Sequence, residues 1–232
     1  MKLSIGFAAL GTVLVVGATG AMADDITVTN IAMPYEEMLT IDSPISPTQG
    51  YVGQLVLTTS TGATIDAWCI DLFHDGSLGN QDSVYAIEPI VTNNDPNYSS
   101  GTPLTTTQID EIAGLIAYGD NLLETDATDP TADPDQDSAA VQLAIWEVEY
   151  PTLSYSGASA NLIDEANDIY GLAPSLMGSA VELEGLDGQQ SYATLVPEPA
   201  SMTLFGTALL GLIGRRRRRS PALPPEALIT PA

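Results

Sequence analysis

Basic residues are almost absent from this 232-residue chain. Six Lys and Arg stand against 30 Asp and Glu, and the formal net charge is −24. The basic residues are Lys2 and the block Arg215 to Arg219, so none occurs from Leu3 through Gly214. A field this negative disfavours nucleic acid and anionic lipid surfaces as partners and favours cationic groups or divalent ions. The same composition also serves solubility in a salty exterior.

Cysteine and histidine each occur once, as Cys69 and His74. One cysteine cannot form an internal disulfide, and one Cys with one His argues against a zinc site. P-loop, HExxH, paired-cysteine and Ser-centred nucleophile motifs are also missing from the sequence. Cys69 is therefore an inert buried thiol, an intermolecular link or a reactive group.

The N-terminus has the pattern of a secretory signal. Lys2 precedes an apolar run, and the small-residue pattern Ala21-Met22-Ala23 stands just before Asp24. This order predicts a signal peptide over residues 1–23 that is removed on export.

The C-terminus combines a Pro-Glu-Pro triplet, a short apolar segment and an arginine block. The apolar segment, residues 200–213, is shorter than the roughly 20 residues of a membrane span, and the arginines would keep its C-terminal side in the cytoplasm. This order resembles the PEP-CTERM sorting signal over residues 196–220, followed by a tail over 221–232. The matching residues are Pro197, Glu198, Pro199, Arg215, Arg216, Arg217, Arg218 and Arg219.

The sorting resemblance implies export across the inner membrane of a Gram-negative bacterium. It implies transient membrane anchoring, processing by an exosortase near the Pro-Glu-Pro triplet, and a place at the cell surface or in an exopolysaccharide matrix such as that of a biofilm. An ordinary C-terminal membrane anchor is the alternative, and it would need a longer apolar stretch.

Residues 24–195 have the length of one exported domain with its own core. Alternating apolar residues predict strands over 26–31, 54–59, 63–70, 83–91, 180–183 and 191–195. Helices are predicted from the capping box of Thr105 and Gln108 to Gly119, from an N-cap at Asp137 or Ser138 to residue 149, and over 159–171. The expected fold is α+β, mainly β, with a β-sandwich or barrel-like portion and a small helical insertion.

The second predicted helix sets a glutamine among residues that should face the core. Ala139, Gln142, Ile145 and Trp146 share one face of it, because residues three and four apart are neighbours on a helix. A buried primary amide has two donors and an acceptor to satisfy, and leaving them unpaired costs on the order of 1–3 kcal/mol.

A covalent bond between Cys69 and Gln142 would account for both the lone thiol and the buried amide. A thiolate that attacks the glutamine carbonyl expels ammonia and leaves a thioester. This needs an accessible thiolate, a rigidly held amide and walls that exclude water. The aromatic residue before Cys69 and the run Val141-Gln142-Leu143-Ala144-Ile145-Trp146 together resemble the two-part signature of bacterial thioester domains.

The thioester-domain resemblance implies covalent capture. An amine, such as a lysine side chain or an amino sugar on a surface ligand or matrix polysaccharide, would attack the carbonyl of residue 142 and release the thiol of Cys69. The reaction is single-use, so the protein is not expected to be an enzyme. The absence of lysines would then protect the electrophile from self-reaction. The alternative is a non-covalent structural protein of the extracellular or exopolysaccharide matrix.

Two further sets of residues could have a functional role, and a solvated loop or linker would also explain each of them. His74, with Asp71 near it, could accept the thiol proton, or it is a solvated loop residue. The alternating Asp133, Asp135 and Asp137 could place oxygens around Ca²⁺, although Ser138 and Ala144 occupy the glycine and glutamate positions of an EF-hand loop. A solvated linker fits the same aspartates, and no other cofactor is predicted.

Overall fold

A helical portion is set between β-strands in the computed structural model, which describes residues 25–93 and 102–196. Within these ranges the strands are β1 (Asp25–Ala32), β2 (Glu37–Ser43), β3 (Thr48–Val52), β4 (Leu55–Thr59), β5 (Thr64–Cys69), β6 (Gly79–Glu88), β7 (Ser154–Ser156), β8 (Ala180–Gly185) and β9 (Tyr192–Leu195). The α-helices are α1 (Thr106–Asp126), α2 (Pro134–Glu149) and α3 (Ala160–Leu172).

Six strands close into an antiparallel barrel in the order β1-β4-β5-β9-β8-β6. On β4, Leu55 and Leu57 are buried while Val56 and Thr58 are only partly covered, the alternation of a strand with one face on the core. Closure leaves none of these six strands with an open edge. The predicted α+β, mainly β fold with a barrel-like portion is confirmed.

The C-terminal end of β5 is buried on both sides, at Ala67, Trp68 and Cys69. Successive residues of a strand point to opposite faces. The indole N–H of Trp68 donates to Asp120 of α1 at 2.9 Å, and the backbone of Cys69 is hydrogen-bonded to Gln142 of α2. The two helices thus meet the barrel where β5 ends.

A second, three-stranded sheet has the order β3-β2-β7 and was not predicted from the sequence. Its buried residues are Leu39 and Ile41 of β2, which pair with Gly50 and Thr48 of β3, and Val52 of β3. The Ser138 hydroxyl of α2 donates to the Tyr35 carbonyl at 3.1 Å. This bond holds the segment that leads into β2 against the helix.

Two of the predicted helix boundaries are wrong. The capping box of Thr105 and Gln108 begins α1 as predicted, but the helix continues past Gly119 to Asp126. Helix α2 has its N-cap at Asp133 and Pro134 in its first turn, so the predicted cap at Asp137 or Ser138 lies inside the helix. Proline is well accommodated in a first turn, where its missing N–H has no intrahelical partner to lose.

Gly119 is explained by close packing instead of helix termination. A Cβ at this position would lie 2.6 Å from Cγ1 of Val141 and 2.7 Å from Cζ2 of Trp68. Only a residue without a side chain lets α1 approach α2 and β5 this closely.

None of the helices within residues 25–93 and 102–196 is long and apolar enough to cross a membrane. The predicted signal peptide, the Pro-Glu-Pro triplet, the apolar segment and the arginine block all lie outside the described residues.

Candidate functional site: Cys69 and Gln142 at the floor of a cavity

Gln142 is paired with the backbone of Cys69. Its Oε1 accepts from the Cys69 N–H at 2.9 Å, and its Nε2 donates to the Cys69 carbonyl at 2.8 Å. The two residues are 73 positions apart in the chain, and Gln142 has no exposed surface. Because both ends of the amide are bonded to one residue, its carbonyl carbon is fixed beside Cys69.

Both side chains line a cavity of about 290 Å³ between the barrel end, α2 and the second sheet. All five residues of β3 line this cavity, as do Trp146, His74 and Asp75. Cys69 is 5% exposed. A small nucleophile that enters the cavity therefore meets the Cys69–Gln142 pair at its floor.

Two N–H groups face the sulfur of Cys69. The Gln190 side chain donates to Sγ at 3.1 Å and the Asp71 N–H at 3.4 Å, while the thiol donates to the Asp71 carbonyl at 3.3 Å. Burial raises the pKa of the Cys69 thiol well above its ordinary value, and hydrogen bonding at Asp71 opposes this only in part. The free thiol is therefore protonated at neutral pH, and its reaction needs a proton acceptor.

His74 lines the same cavity and is paired with the buried Asp71. Asp71 is 1% exposed, and its Oδ2 lies 2.7 Å from His74 Nδ1. Its Oδ1 accepts the backbone N–H groups of Phe73 and His74, so the carboxylate holds this turn in place. If Nδ1 carries the proton that Asp71 accepts, Nε2 has a free lone pair, which gives the cavity wall a proton acceptor.

Two buried polar side chains near the pair lack hydrogen-bond partners, and neither unpaired group was predicted from the sequence. The Nε1 of Trp146 has none, nor has either carboxylate oxygen of Glu149. Burial, followed by Glu182 and Asp71, raises the pKa of Glu149 well above its ordinary value. Gln190 was missed as well, because nothing in its local sequence marks a contact with Cys69.

The three aspartates proposed for calcium do not converge in the structure. Asp133 caps α2, Asp135 accepts the backbone N–H of Glu36, and Asp137 faces Asp126 and Glu165. Across the described ranges, no group of three or more His, Cys, Asp or Glu side chains could hold a metal ion. Calcium binding stays a prediction that this arrangement does not support.

Comparison with known families identifies the sorting segment. Residues 195–219 match the PEP-CTERM protein-sorting motif, which confirms the sorting signal predicted from the sequence. The motif implies exosortase processing and an exported protein of a Gram-negative bacterium. No curated protein sequence matches the chain.

Among solved structures the chain is similar to two bacterial thioester domains. One is the N-terminal thioester domain of a surface protein from Clostridium perfringens, with a TM-score of 0.45, 11% identity, and coverage of 73% of this chain and 97% of that one. The other belongs to the fibronectin-binding protein SfbI from Streptococcus pyogenes, with a TM-score of 0.39, 10% identity, and coverage of 62% and 86%.

Proposed function

We propose that this exported protein captures amines covalently through a thioester between Cys69 and Gln142. The observation that carries the proposal is the double hydrogen bond between the Gln142 amide and the Cys69 backbone. It fixes one electrophilic carbon beside the residue that carries the only thiol of the chain. Fixed placement replaces much of the entropic cost of bringing two reactants together.

Thioester formation needs no outside reagent. The Cys69 sulfur bonds to Cδ of Gln142, the bond from Cδ to Nε2 breaks, and the thiol proton leaves with the nitrogen as ammonia. The Cys69 N–H already donates to Oε1 at 2.9 Å. This is the distance at which a donor stabilises the negative charge that develops on a carbonyl oxygen under attack.

Amine capture is a second acyl substitution at the same electrophilic carbon. An amine attacks Cδ, a new carbon–nitrogen bond forms, and the bond to sulfur breaks with its electron pair left on Cys69. The proton lost by the nitrogen passes to His74, which Asp71 orients at 2.7 Å, and then to the sulfur. The product is an amide between residue 142 and the captured molecule, with a free thiol at Cys69.

The surroundings of the site favour cationic amines. Asp75 lines the cavity, and no Lys or Arg occurs from Leu3 through Gly214. An ammonium group is attracted into such a field, and the neutral amine in equilibrium with it is the nucleophile that attacks Cδ. An exported protein with this reactivity would serve adhesion or crosslinking, through lysine side chains of a surface ligand or amino sugars of a matrix polysaccharide.

A packed, non-covalent role for the pair is the second candidate, and the same hydrogen bonds favour it. Both polar atoms of Gln142 are satisfied by Cys69, so the amide needs no thioester to be stable in the core. The burial that raises the pKa of the thiol also slows its attack. In this case the protein is a structural component of the matrix.

Peptide mapping separates the two candidates. The purified protein is digested at low pH, which preserves thioesters, and the fragments are analysed by mass spectrometry. Covalent capture predicts a crosslinked fragment that joins the segments of Cys69 and Gln142 and lacks one ammonia. Two separate fragments, with a free thiol and an intact glutamine, would leave only the structural role.

A further inference from the structure

One of the two tryptophan side chains is a buried donor without an acceptor. Trp146 is 4% exposed, and its Nε1 has no hydrogen-bond partner. The other indole, that of Trp68, donates to Asp120 at 2.9 Å. An unpaired buried donor is destabilising by about 1–3 kcal/mol, so the N–H of Trp146 is a feature that packing alone does not explain.

The position of Trp146 places this donor at the reactive pair. It follows Gln142 by four residues, so the two side chains lie on one face of α2. It lines the same cavity as Cys69 and Gln142. Burial raises the pKa of the Cys69 thiol, and hydrogen bonding from the Trp146 side chain is among the causes that lower it. The indole N–H is therefore close to the sulfur, although it does not form a hydrogen bond of full geometry in the amide form.

We propose that the indole N–H of Trp146 is the donor that receives the sulfur of Cys69 when an amine displaces it. This inference rests on the proposed thioester. In the thioester the sulfur is bonded to Cδ of Gln142, a side chain of α2, and this draws it toward the helix that carries Trp146.

The displacement leaves an electron pair on a buried sulfur. When the bond from Cδ to sulfur breaks, the thiolate needs donors until the proton from the amine arrives. Gln190 Nε2 and the Asp71 N–H already face the sulfur, at 3.1 and 3.4 Å. Trp146 of α2 adds a third donor, and its buried N–H, unpaired in the amide form, is available to bond to the leaving sulfur.

The test removes the N–H and keeps the ring. Trp146→Phe in the full chain, and a variant with benzothienylalanine at position 146 that preserves the size of the ring system, are compared with Trp68→Phe as the matched loss of an indole N–H. The first readout is the rate at which methylamine opens the thioester, followed by intact mass. We expect both position-146 variants to react about tenfold to a hundredfold more slowly, the range that one hydrogen bond to a charged group supplies.

The second readout does not require a thioester. In a Gln142→Leu background, where Cys69 stays a free thiol, the thiolate is titrated by its ultraviolet absorbance. Removing the N–H of Trp146 should shift this titration to higher pH, whereas Trp68→Phe should leave it in place.

The outcomes separate the two claims. A wild-type chain that never loses ammonia refutes the proposed function, and the titration alone then decides whether Trp146 contacts the sulfur. A wild-type chain that forms the thioester, with position-146 variants that react at the wild-type rate and titrate without a shift, overturns the role of Trp146. If Trp146→Phe loses the circular dichroism of the fold, the benzothienylalanine variant carries the test.

Discussion

The side-chain amide of Gln142 forms a closed pair of hydrogen bonds with the backbone N–H and C=O of Cys69. This arrangement ties the middle of α2 to the last residue of β5. It also holds the carbonyl carbon of Gln142 beside Cys69, and both residues line one cavity. One contact thus serves both the packing of the helix on the barrel and the chemistry proposed for the site.

Loss of the Gln142 amide should be costly even where no thioester can form. In a Cys69→Ala background, Gln142→Leu leaves the backbone N–H and C=O of residue 69 buried and unpaired. We expect the free energy of unfolding to fall by roughly 2–6 kcal/mol, because each of the two unpaired buried groups costs about 1–3 kcal/mol. Urea denaturation monitored by circular dichroism measures the difference.

Gln49→Leu in the same background is the matched control for that experiment. Gln49 is exposed on β3, so its replacement should change stability by less than about 0.5 kcal/mol. Equal effects of the two substitutions would show that the paired amide does not hold the helix on the barrel.

Close packing at Gly119 predicts a clear contrast between two helical glycines. Gly119→Ala brings a Cβ against Val141 and Trp68 and should destabilise the fold by about 1–3 kcal/mol through overpacking. Gly171→Ala on α3 meets nothing within 4 Å and should be neutral or stabilising by up to about 1 kcal/mol. Thermal unfolding of both variants checks this order, and a stable Gly119→Ala chain would contradict the packing.

Glu149 should make the fold less stable as pH rises. Burial, with Glu182 and Asp71 nearby, raises its pKa well above 4.5 in the folded state, so the folded chain binds this proton more tightly than the unfolded chain. Stability is therefore lost as pH climbs from the ordinary carboxyl pKa toward the raised one. The other titratable groups coupled to Glu149 are Tyr150 and Cys69, and both stay neutral over that range.

The variant Glu149→Gln should remove this part of the pH dependence. Unfolding free energies measured at increasing pH, starting from the ordinary carboxyl pKa of about 4, should fall less steeply for the variant than for the wild type. Asp137, whose pKa is raised to about 8 by burial and by Glu165 and Asp126, contributes a slope of the same sign and remains in both chains. Parallel curves would show that Glu149 is ionised in the fold.

The absence of lysine can be tested by adding one at the cavity. In Gln49→Lys, an ε-amine on a residue that lines the cavity should attack the thioester within the same chain. The product keeps the mass deficit of one ammonia, gains a titratable thiol and no longer reacts with methylamine. Asp168→Lys on the exposed face of α3 is the control and should remain reactive. A Gln49→Lys chain that keeps its methylamine-reactive thioester would argue that acidity, and not self-protection, explains the missing lysines.

Local patterns in the sequence predicted the barrel and the pairing candidates but not the second sheet. The alternation of apolar and polar residues along 26–31 and 54–59 is typical of strands with one buried face. The second sheet depends on β7, which has three residues, and on β2 and β3, which together carry only three buried apolar residues, Leu39, Ile41 and Val52, so their apolar pattern is weak. Gly119 carried the usual mark of a helix end, and only the approach of Trp68 and Val141 explains why it lies within α1.

The candidate site was predicted in its residue types but not in its detail. Cys69 and Gln142 stood out because each was out of place, a lone thiol and a buried amide. The two-bond pairing between them, the contact of Gln190 with the sulfur and the orphan N–H of Trp146 arise from segments far apart in the chain. Such contacts leave no local signal in the sequence. The calcium prediction relied on spacing alone, and its three aspartates face different partners in the structure.

The intact mass of the purified protein tests the central claim most directly. It is measured before and after methylamine treatment, beside a Cys69→Ala control. The account predicts a mass short by one ammonia, which rises by one methylamine on treatment while a titratable thiol appears, and neither change in the control. A full calculated mass that methylamine leaves unchanged, with the thiol free from the start, would contradict it and leave Gln142 as a packed amide.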